Sequence, residues 1–310
     1  MAIHDNVGIV LVKDEGSNYG VDAAPDASNA VYVTAVPKFD LNLESNERTG
    51  MNGAASVKDP VIGAHFWDIT LEFEVRGSGA AGTAPETDPL WESAGYLGTN
   101  TPATSDVYKP SIVSDKSCTI WWHVDGLIYK ATGCRGNLSF SIEAGGFMKA
   151  TWTGKGIYAA PSDGALVSSP VYDATKPVKL VGATFTYDSY AAILRSLSLD
   201  GGVGSTALKS NAATGISSVE LDRFNVTGSM TIGHVLVATR AVEALAIAGA
   251  AVAFSLALGS TAGNICTITS SSLIKTGVAK SSNGGQLDLS IDFKLSESTS
   301  LNDDITWSFT

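Results

Sequence analysis

The residues best suited to metal or nucleophilic chemistry are four histidines and three cysteines, and their spacing supports neither. His4, His65, His123 and His234 are scattered, none at metal-ligand spacing from a second histidine, a cysteine or a carboxylate. Cys118, Cys134 and Cys266 cannot all pair within one chain and lack zinc-type spacing, which points to a reducing compartment. Gly77-Ser78-Gly79-Ala80-Ala81-Gly82 has the texture of a dinucleotide loop, but it follows an amphipathic strand and runs into Thr83-Ala84-Pro85-Glu86 instead of a helix. It reads as a plain loop. Ser17 and Ser78 lack the context of a nucleophile elbow, and Glu72 and Glu74 share one strand face, where a solvated role is commoner than acid–base work. The expectation is therefore no catalytic residue, no metal and no cofactor.

Binding chemistry is similarly sparse. Lys13, Lys38, Arg48, Lys58, Arg76, Lys109 and Lys116 are spread singly, and acidic residues outnumber basic ones 31 to 20 for a net charge of −11. Such a surface repels nucleic-acid phosphates. Of Trp91, Trp121 and Trp122, at least two are expected in the core, since adjacent strand residues face opposite ways. Ala241 to Gly259, the most apolar stretch, is interrupted by Glu243 and Ser255 and reads as a buried helix followed by a strand, without membrane insertion. The N-terminus shows no basic front or apolar core of an export signal.

The elements that would position any site are mostly strands. With 310 residues, 44% hydrophobic and 32 glycines, the composition favours a large β-dominated core. Asp68-Ile69-Thr70-Leu71-Glu72-Phe73-Glu74-Val75 alternates without a break, and Asn225 to Ile232 repeats the pattern in phase. A helix candidate follows each, Asp88 to Ala94 and Thr239 to Leu245. Thr119 to Val124 is matched by Val252 to Leu258, Leu127 to Ala131 by Ile265 to Thr269, and Leu138 to Glu143 by Leu287 to Phe293. Upstream, Val36 to Glu44 and Ile193 to Asp200 each run into a long loop, Ser45 to Ala64 and Gly201 to Val219. The ordered recurrence reads as two copies of one α+β domain, 30–165 and 166–310, behind an N-terminal arm, 1–29, with a turn-rich boundary at Ala159 to Gly164.

Val36-Pro37-Lys38-Phe39-Asp40-Leu41-Asn42-Leu43-Glu44, a long loop, Ile69 to Gly77 and then Pro89-Leu90-Trp91-Glu92-Ser93-Ala94-Gly95-Tyr96 resemble the major tail tube proteins of long-tailed bacteriophages, most clearly over residues 30 to 160. The resemblance implies a mainly β (α+β) fold: tandem antiparallel β-sandwich or half-barrel domains, each with one flanking helix and a long loop. It also implies a structural protein of the virion tail, assembled in the host cytoplasm. Its subunits would form rings by continuing the inner sheet and stack into a tube that conducts DNA without binding it. Implied partners are further copies of itself and the tail terminator, tape measure and distal tail proteins.

With two such domains per chain, the expected ring is a pseudo-sixfold trimer. The polar strand faces would line the lumen through Asp68, Thr70, Glu72, Glu74 and Glu143 in the first half, and Asn225, Thr227, Ser229, Asp288, Ser290 and Asp292 in the second. On the strands read from the sequence, no lysine or arginine interrupts those faces. The long loops, with Arg48, Met51, Lys58, Lys209 and Asn211, are candidates for contacts to a neighbouring ring or chain. The competing reading is a β-sandwich adhesin or glycan-binding module, which would need exposed aromatic residues lining a cleft.

Overall fold

The computed structural model describes residues 3–51, 53, 56–111, 116–298 and 301–310. In chain order the elements are β1 (Gly8–Asp14), β2 (Ala30–Val31), β3 (Lys38–Arg48), β4 (Lys58–Glu74), α1 (Asp88–Ser93), β5 (Tyr96–Thr101), β6 (Ser105–Pro110), β7 (Cys118–Val124), β8 (Leu127–Glu143) and β9 (Lys149–Asp163). There follow β10 (Thr184–Tyr187), β11 (Leu194–Asp200), β12 (Ser205–Lys209), β13 (Ile216–Leu221), β14 (Thr227–Gly233), α2 (Val242–Ile247), β15 (Val252–Leu258), β16 (Cys266–Asn283), β17 (Gln286–Leu295) and β18 (Thr306–Phe309). The mainly β reading holds, and the paired strands of the main sheet are antiparallel.

Eight strands lie side by side in the order β3-β4-β9-β8-β11-β14-β17-β16. The first four come from residues 38–163 and the last four from residues 194–295. The chain crosses between them where β8 pairs with β11, Ser139 opposite Asp200 and Glu143 opposite Ser196. Each half of the sequence includes a three-strand meander, β7-β8-β9 and β15-β16-β17, whose last two strands belong to the eight.

One side of this sheet is apolar because the strands alternate. Ile69, Leu71 and Phe73 of β4, Leu138, Phe140 and Ile142 of β8, Leu197 and Leu199 of β11, and Ile291 and Phe293 of β17 are all buried in one core. α1 packs on that core through Leu90 and Trp91, with Pro89 in its first turn, where a missing N–H costs nothing. At the crossing from β8 to β11, the Phe140 ring lies 4.2 Å from Trp307 and 5.0 Å from Trp91. The C-terminal β18 is itself inserted between β16 and β6. Residues from both halves of the sequence therefore share one aromatic cluster.

Several sequence expectations are corrected. Ala159 to Asp163 is the end of β9, not a turn-rich boundary, because its backbone pairs with Leu127 to Lys130. The chain leaves the sheet at Gly164, and the stretch that follows runs back over the first half, Val178 accepting from Met148 and donating to Val75. Residues 8–14 are no arm: Val10, Leu11 and Val12 are buried, and the strand pairs along its length with β7. Leu127 to Ala131 and Leu138 to Glu143 are one strand, bulged between Thr132 and Arg135. The stretch 45–64 is mostly the continuation of β3 and β4 as a hairpin; residues 52, 54 and 55 lie outside the described residues. Gly201 to Val219 holds β12 and most of β13. α2 buries only Val242 fully, with Glu243, Leu245 and Ala246 half-buried and Ala244 and Ile247 exposed, so the second helix is not the buried one expected. Among the described residues, no helix is long and apolar enough to cross a membrane.

Three carboxyls near α1 and β18 give the fold a pH dependence. Burial raises Asp88, Glu92 and Asp304 above the ordinary carboxylate range, although Tyr108 Oη donates to Asp88 at 2.6 Å and Lys116 Nζ to Glu92 at 2.7 Å. Groups raised in this way hold protons more tightly folded than unfolded. Their contribution is fully present below about pH 4 and is lost as pH rises through the folded values. Asp88→Asn, which keeps an acceptor for Tyr108 and loses the charge, is expected to raise the Tm relative to wild type near neutral pH and to lose that advantage near pH 4. Equal Tm differences at both pH values would remove Asp88 from this account.

Candidate functional site

The polar side of the eight-stranded sheet is continuous. Following the registers from strand to strand, Glu74, Lys149, Ser141, Ser198, Ser229, Asp292 and Gly277 form one row across seven strands. The row beside it runs Glu72, Thr151, Ser139, Asp200, Thr227 and Lys294. On the other flank Glu143, Ser196, Thr231, Ser290 and Ala279 are neighbours. Thus Asp68, Thr70, Glu72, Glu74, Glu143, Thr227, Ser229, Ser290 and Asp292 share one face although they come from both halves of the sequence. Asn225 joins them just before β14, in a shallow depression it lines with Ser198, Asp200, Thr227, Ser229 and Asp292. Asp288 differs. It is 1% exposed, its Oδ2 lies 3.5 Å from Arg195 Nε, and its other oxygen has no partner among the described residues.

The charge on this face is mixed. β9 was not read as a strand from the sequence, and it places Lys149 opposite Glu74 and Lys155 opposite Asp68 of β4; Lys155 Nζ approaches Asp68 Oδ1 at 3.6 Å. Lys38 and Asp40 of β3 and Lys294 of β17 belong to the same face. The expectation of a face uninterrupted by basic residues is therefore corrected. Asp40, Asp68, Glu72, Glu74, Glu143, Asp200 and Asp292 still outnumber the four lysines, so the surface keeps an acidic excess. The signal for β9 was present: Lys149-Ala150-Thr151-Trp152-Thr153 alternates, with Ala150 and Trp152 buried. Glycines then obscure it. Gly154 faces Gly136 so closely that a Cβ on Gly136 would lie 2.4 Å from the Thr153 carbonyl oxygen.

The loop candidates fall in two hairpins. Arg48 and Lys58 are the last registered pair of β3 and β4, and Met51 beyond them is fully exposed. Lys209 ends β12, and Asn211 lies in the turn closed by the Ser210 N–H on the Gly215 carbonyl. The structure brings the two hairpins together within one chain: Lys209 Nζ lies 2.6 Å from Glu44 Oε1, and the His65 N–H donates to the Thr214 carbonyl. β13 is held further by Arg135, whose Nη1 donates to the Val219 carbonyl at 2.9 Å, while the Val219 N–H donates to Tyr19 Oη at 2.6 Å. The second hairpin is thus ordered on its own chain, whereas Leu43, Val61 and Ile62 leave the first with about half of each side chain exposed.

The other residues singled out for chemistry are occupied in packing. Trp91 is in the core, Trp122 stacks on Tyr129 at 5.2 Å, and half-buried Trp121 lies under Lys130 Nζ and donates to Asp22. His123 is buried against the Ala165 carbonyl, and burial lowers its pKa. Cys118 and Cys134 face each other across β7 and β8, and burial pushes the Cys134 thiol up. The Gly77 to Gly82 loop packs on a loop of the second half, with Gly77 N–H on Asn264 Oδ1 and Gly79 N–H on the Gly263 carbonyl.

The sheet thus has one buried face and one continuous polar face, built from strands of both halves. A comparison with curated proteins gives no match. A family model described as "Phage tail tube protein" matches residues 6–295, from the turn before β1 to the end of β17, and the chain therefore belongs to the phage tail tube protein family, a family of structural proteins of the virion tail.

Proposed function

We propose that the chain is two copies of one sheet-extending unit, and that three chains join edge to edge into a closed ring whose polar face lines a bore for DNA. The observation that carries this reading is the pairing of β8 with β11. Inside a single chain, the last wall strand of one half already continues into the first wall strand of the other. The outer edges of the eight-stranded run are β3 and the distal part of β16, and among the described residues neither is covered by a further strand. Edges of that kind invite another chain.

Magnitudes set the ring size. With strands about 4.8 Å apart and tilted by about 40°, three chains of eight strands give a circumference of roughly 150 Å and a backbone diameter of roughly 48 Å. Half that width would fill with side chains; this one leaves a bore for a duplex. The mixed face with an acidic excess suits passage, since it offers no basic track on which phosphates would release counterions. The ends of such a tube would meet the tail terminator, tape measure and distal tail proteins, with assembly in the host cytoplasm.

Negative-stain electron microscopy of the purified protein at rising concentration tests the reading. Hollow rings or rods with a wall repeat of three chains are the expected outcome. Monomers at every concentration would overturn the ring, and six chains per ring would overturn the trimer.

A further inference from the structure

We propose that the ring closes by antiparallel pairing of the outer edge of β3 with the distal edge of β16 on a second copy of this chain, Asp40 opposite Ala279 and Lys38 opposite Ser281. This rests on the ring reading and supplies what that reading leaves open, the partner strand and its register.

The junction inside the chain is the template. β7 and β8 pair with a bulge that sets Ile120 opposite Ala131 and Cys118 opposite Cys134; β15 and β16 repeat it with Phe254 opposite Ser270 and Val252 opposite Leu273. Superposing the two bulges equates Cys134 with Leu273 and the next residue, Arg135, with Ile274. Their partners Lys155 and Lys294 are then equivalent. Counting back along those two strands equates Thr151 with Ser290. Thr151 stands opposite Ser139, and Ser290 opposite Ala279, so Ala279 occupies the place of Ser139. On the other side, Lys155 and Lys294 stand opposite Asp68 and Thr227, which stand opposite Asp40 and Asp200. Asp40 therefore occupies the place of Asp200. Since Ser139 pairs with Asp200 inside the chain, Ala279 pairs with Asp40 between chains.

The side chains agree with this register. Asp40 and Ala279 lie on the polar face, whereas Phe39 packs toward the core with Trp67 and Trp122. A slip of one residue would set the polar face of one chain against the apolar face of the next. Leu41, 42% exposed in the single chain, comes opposite half-buried Val278. In the template, Gly201 donates its N–H to the Leu138 carbonyl, so alternate residues of β11 turn their N–H groups toward β8. The counterparts on β3 are Leu41, Phe39 and Pro37; the first two extend the ladder, and Pro37, which has no N–H, ends it. The polar rows described above then run on from one chain to the next.

Asp40–Ala279 and Lys38–Ser281 are the close, non-hydrogen-bonded pairs of this joint, with Cα atoms about 4.5 Å apart, inside disulfide range. The test is a Lys38→Cys/Ser281→Cys variant, oxidised mildly after assembly; both positions are exposed, and the three native cysteines are buried. Reducible dimers and trimers, with the trimer as the largest species, are expected on a non-reducing gel. An equimolar mixture of the two single variants should give dimers only. Lys38→Cys/Lys280→Cys, one residue out of register, should cross-link about tenfold more slowly. Rings in the microscope with cross-linking only in the shifted pair, or with none in either the double variant or the mixture, would overturn this register while leaving the ring intact. Absence of both rings and cross-links would remove the ring reading as well.

Discussion

Replacing Trp307 by alanine is expected to lower the unfolding free energy by about 3–5 kcal/mol, the cost of deleting a large aromatic side chain from a packed core. Trp307 is fully buried on β18, its ring 4.2 Å from Phe140 and 5.1 Å from Trp91. Phe140 stands opposite Leu199, so the cavity would open directly behind the crossing between β8 and β11. Because β18 also pairs with β6, the loss is shared by residues far apart in sequence, and denaturant unfolding should remain a single transition at a lower midpoint. Trp307→Phe should lose less than half as much, since it keeps ring contacts and removes an indole N–H that has no partner among the described residues. Two separated transitions in the alanine variant would show that the halves are held independently. A shift under about 1 kcal/mol would show that the cluster repacks around the gap.

That cluster also shows what the sequence could and could not disclose. α1 and the strands 118–124 and 252–258 were legible because Pro89 marks a helix start and short, mostly apolar runs mark strands. The polar faces of β4 and β14 were legible from strict alternation. Alternation does not name neighbours, however. Leu138 to Glu143 was matched with Leu287 to Phe293, whereas β17 lies between β14 and β16 as β9 lies between β4 and β8. The Leu138 to Glu143 stretch corresponds instead to the distal part of β16. Gly133, Gly136, Gly154 and Gly156 broke the pattern of β8 and β9 at the bulge and close approach that bring these strands together. With β9 hidden, so were Lys149 and Lys155, and the face read as more acidic than it is.

Contacts between distant segments were illegible for a different reason. Nothing local to Arg135 or Tyr19 announces that both grip Val219, and nothing in Lys209 points to Glu44. The 201–219 loop was expected to need a neighbour to order it, and its neighbour is the first half of its own chain. The same economy limits what a second chain must supply. The aromatic crossing from β8 to β11 fixes the two halves of a chain, whereas the proposed joint carries Lys280 where the crossing carries Phe140 and would bury less apolar surface at that position.

Replacing Glu15 by leucine is expected to cost about 3–5 kcal/mol, because it strips the acceptor from a set of buried donors. The Glu15 carboxylate is 6% exposed and takes hydrogen bonds from the Gly133 N–H at 2.6 Å, the Ser117 hydroxyl at 2.6 Å, the Thr119 hydroxyl at 2.8 Å and the Gly20 N–H at 2.7 Å. The two hydroxyls can turn to other acceptors; the two backbone N–H groups cannot. Gly133 sits at the β8 bulge with φ of 58°, a left-handed conformation that few other residues adopt, so the carboxylate holds the bulge that sets the register of β8 on β9. Tyr19 connects this site to the hairpin, donating to the Gly133 carbonyl while accepting from Val219. Loosening the bulge should therefore free β13, seen as faster hydrogen exchange at the Val219 amide than at Leu71 in the middle of β4. Glu15→Gln, which keeps one acceptor oxygen, should fall between wild type and Glu15→Leu in denaturant midpoint. If the leucine variant matched wild type in midpoint and in exchange at Val219, the carboxylate would be a passenger, and the bulge would be held by its strand pairing alone.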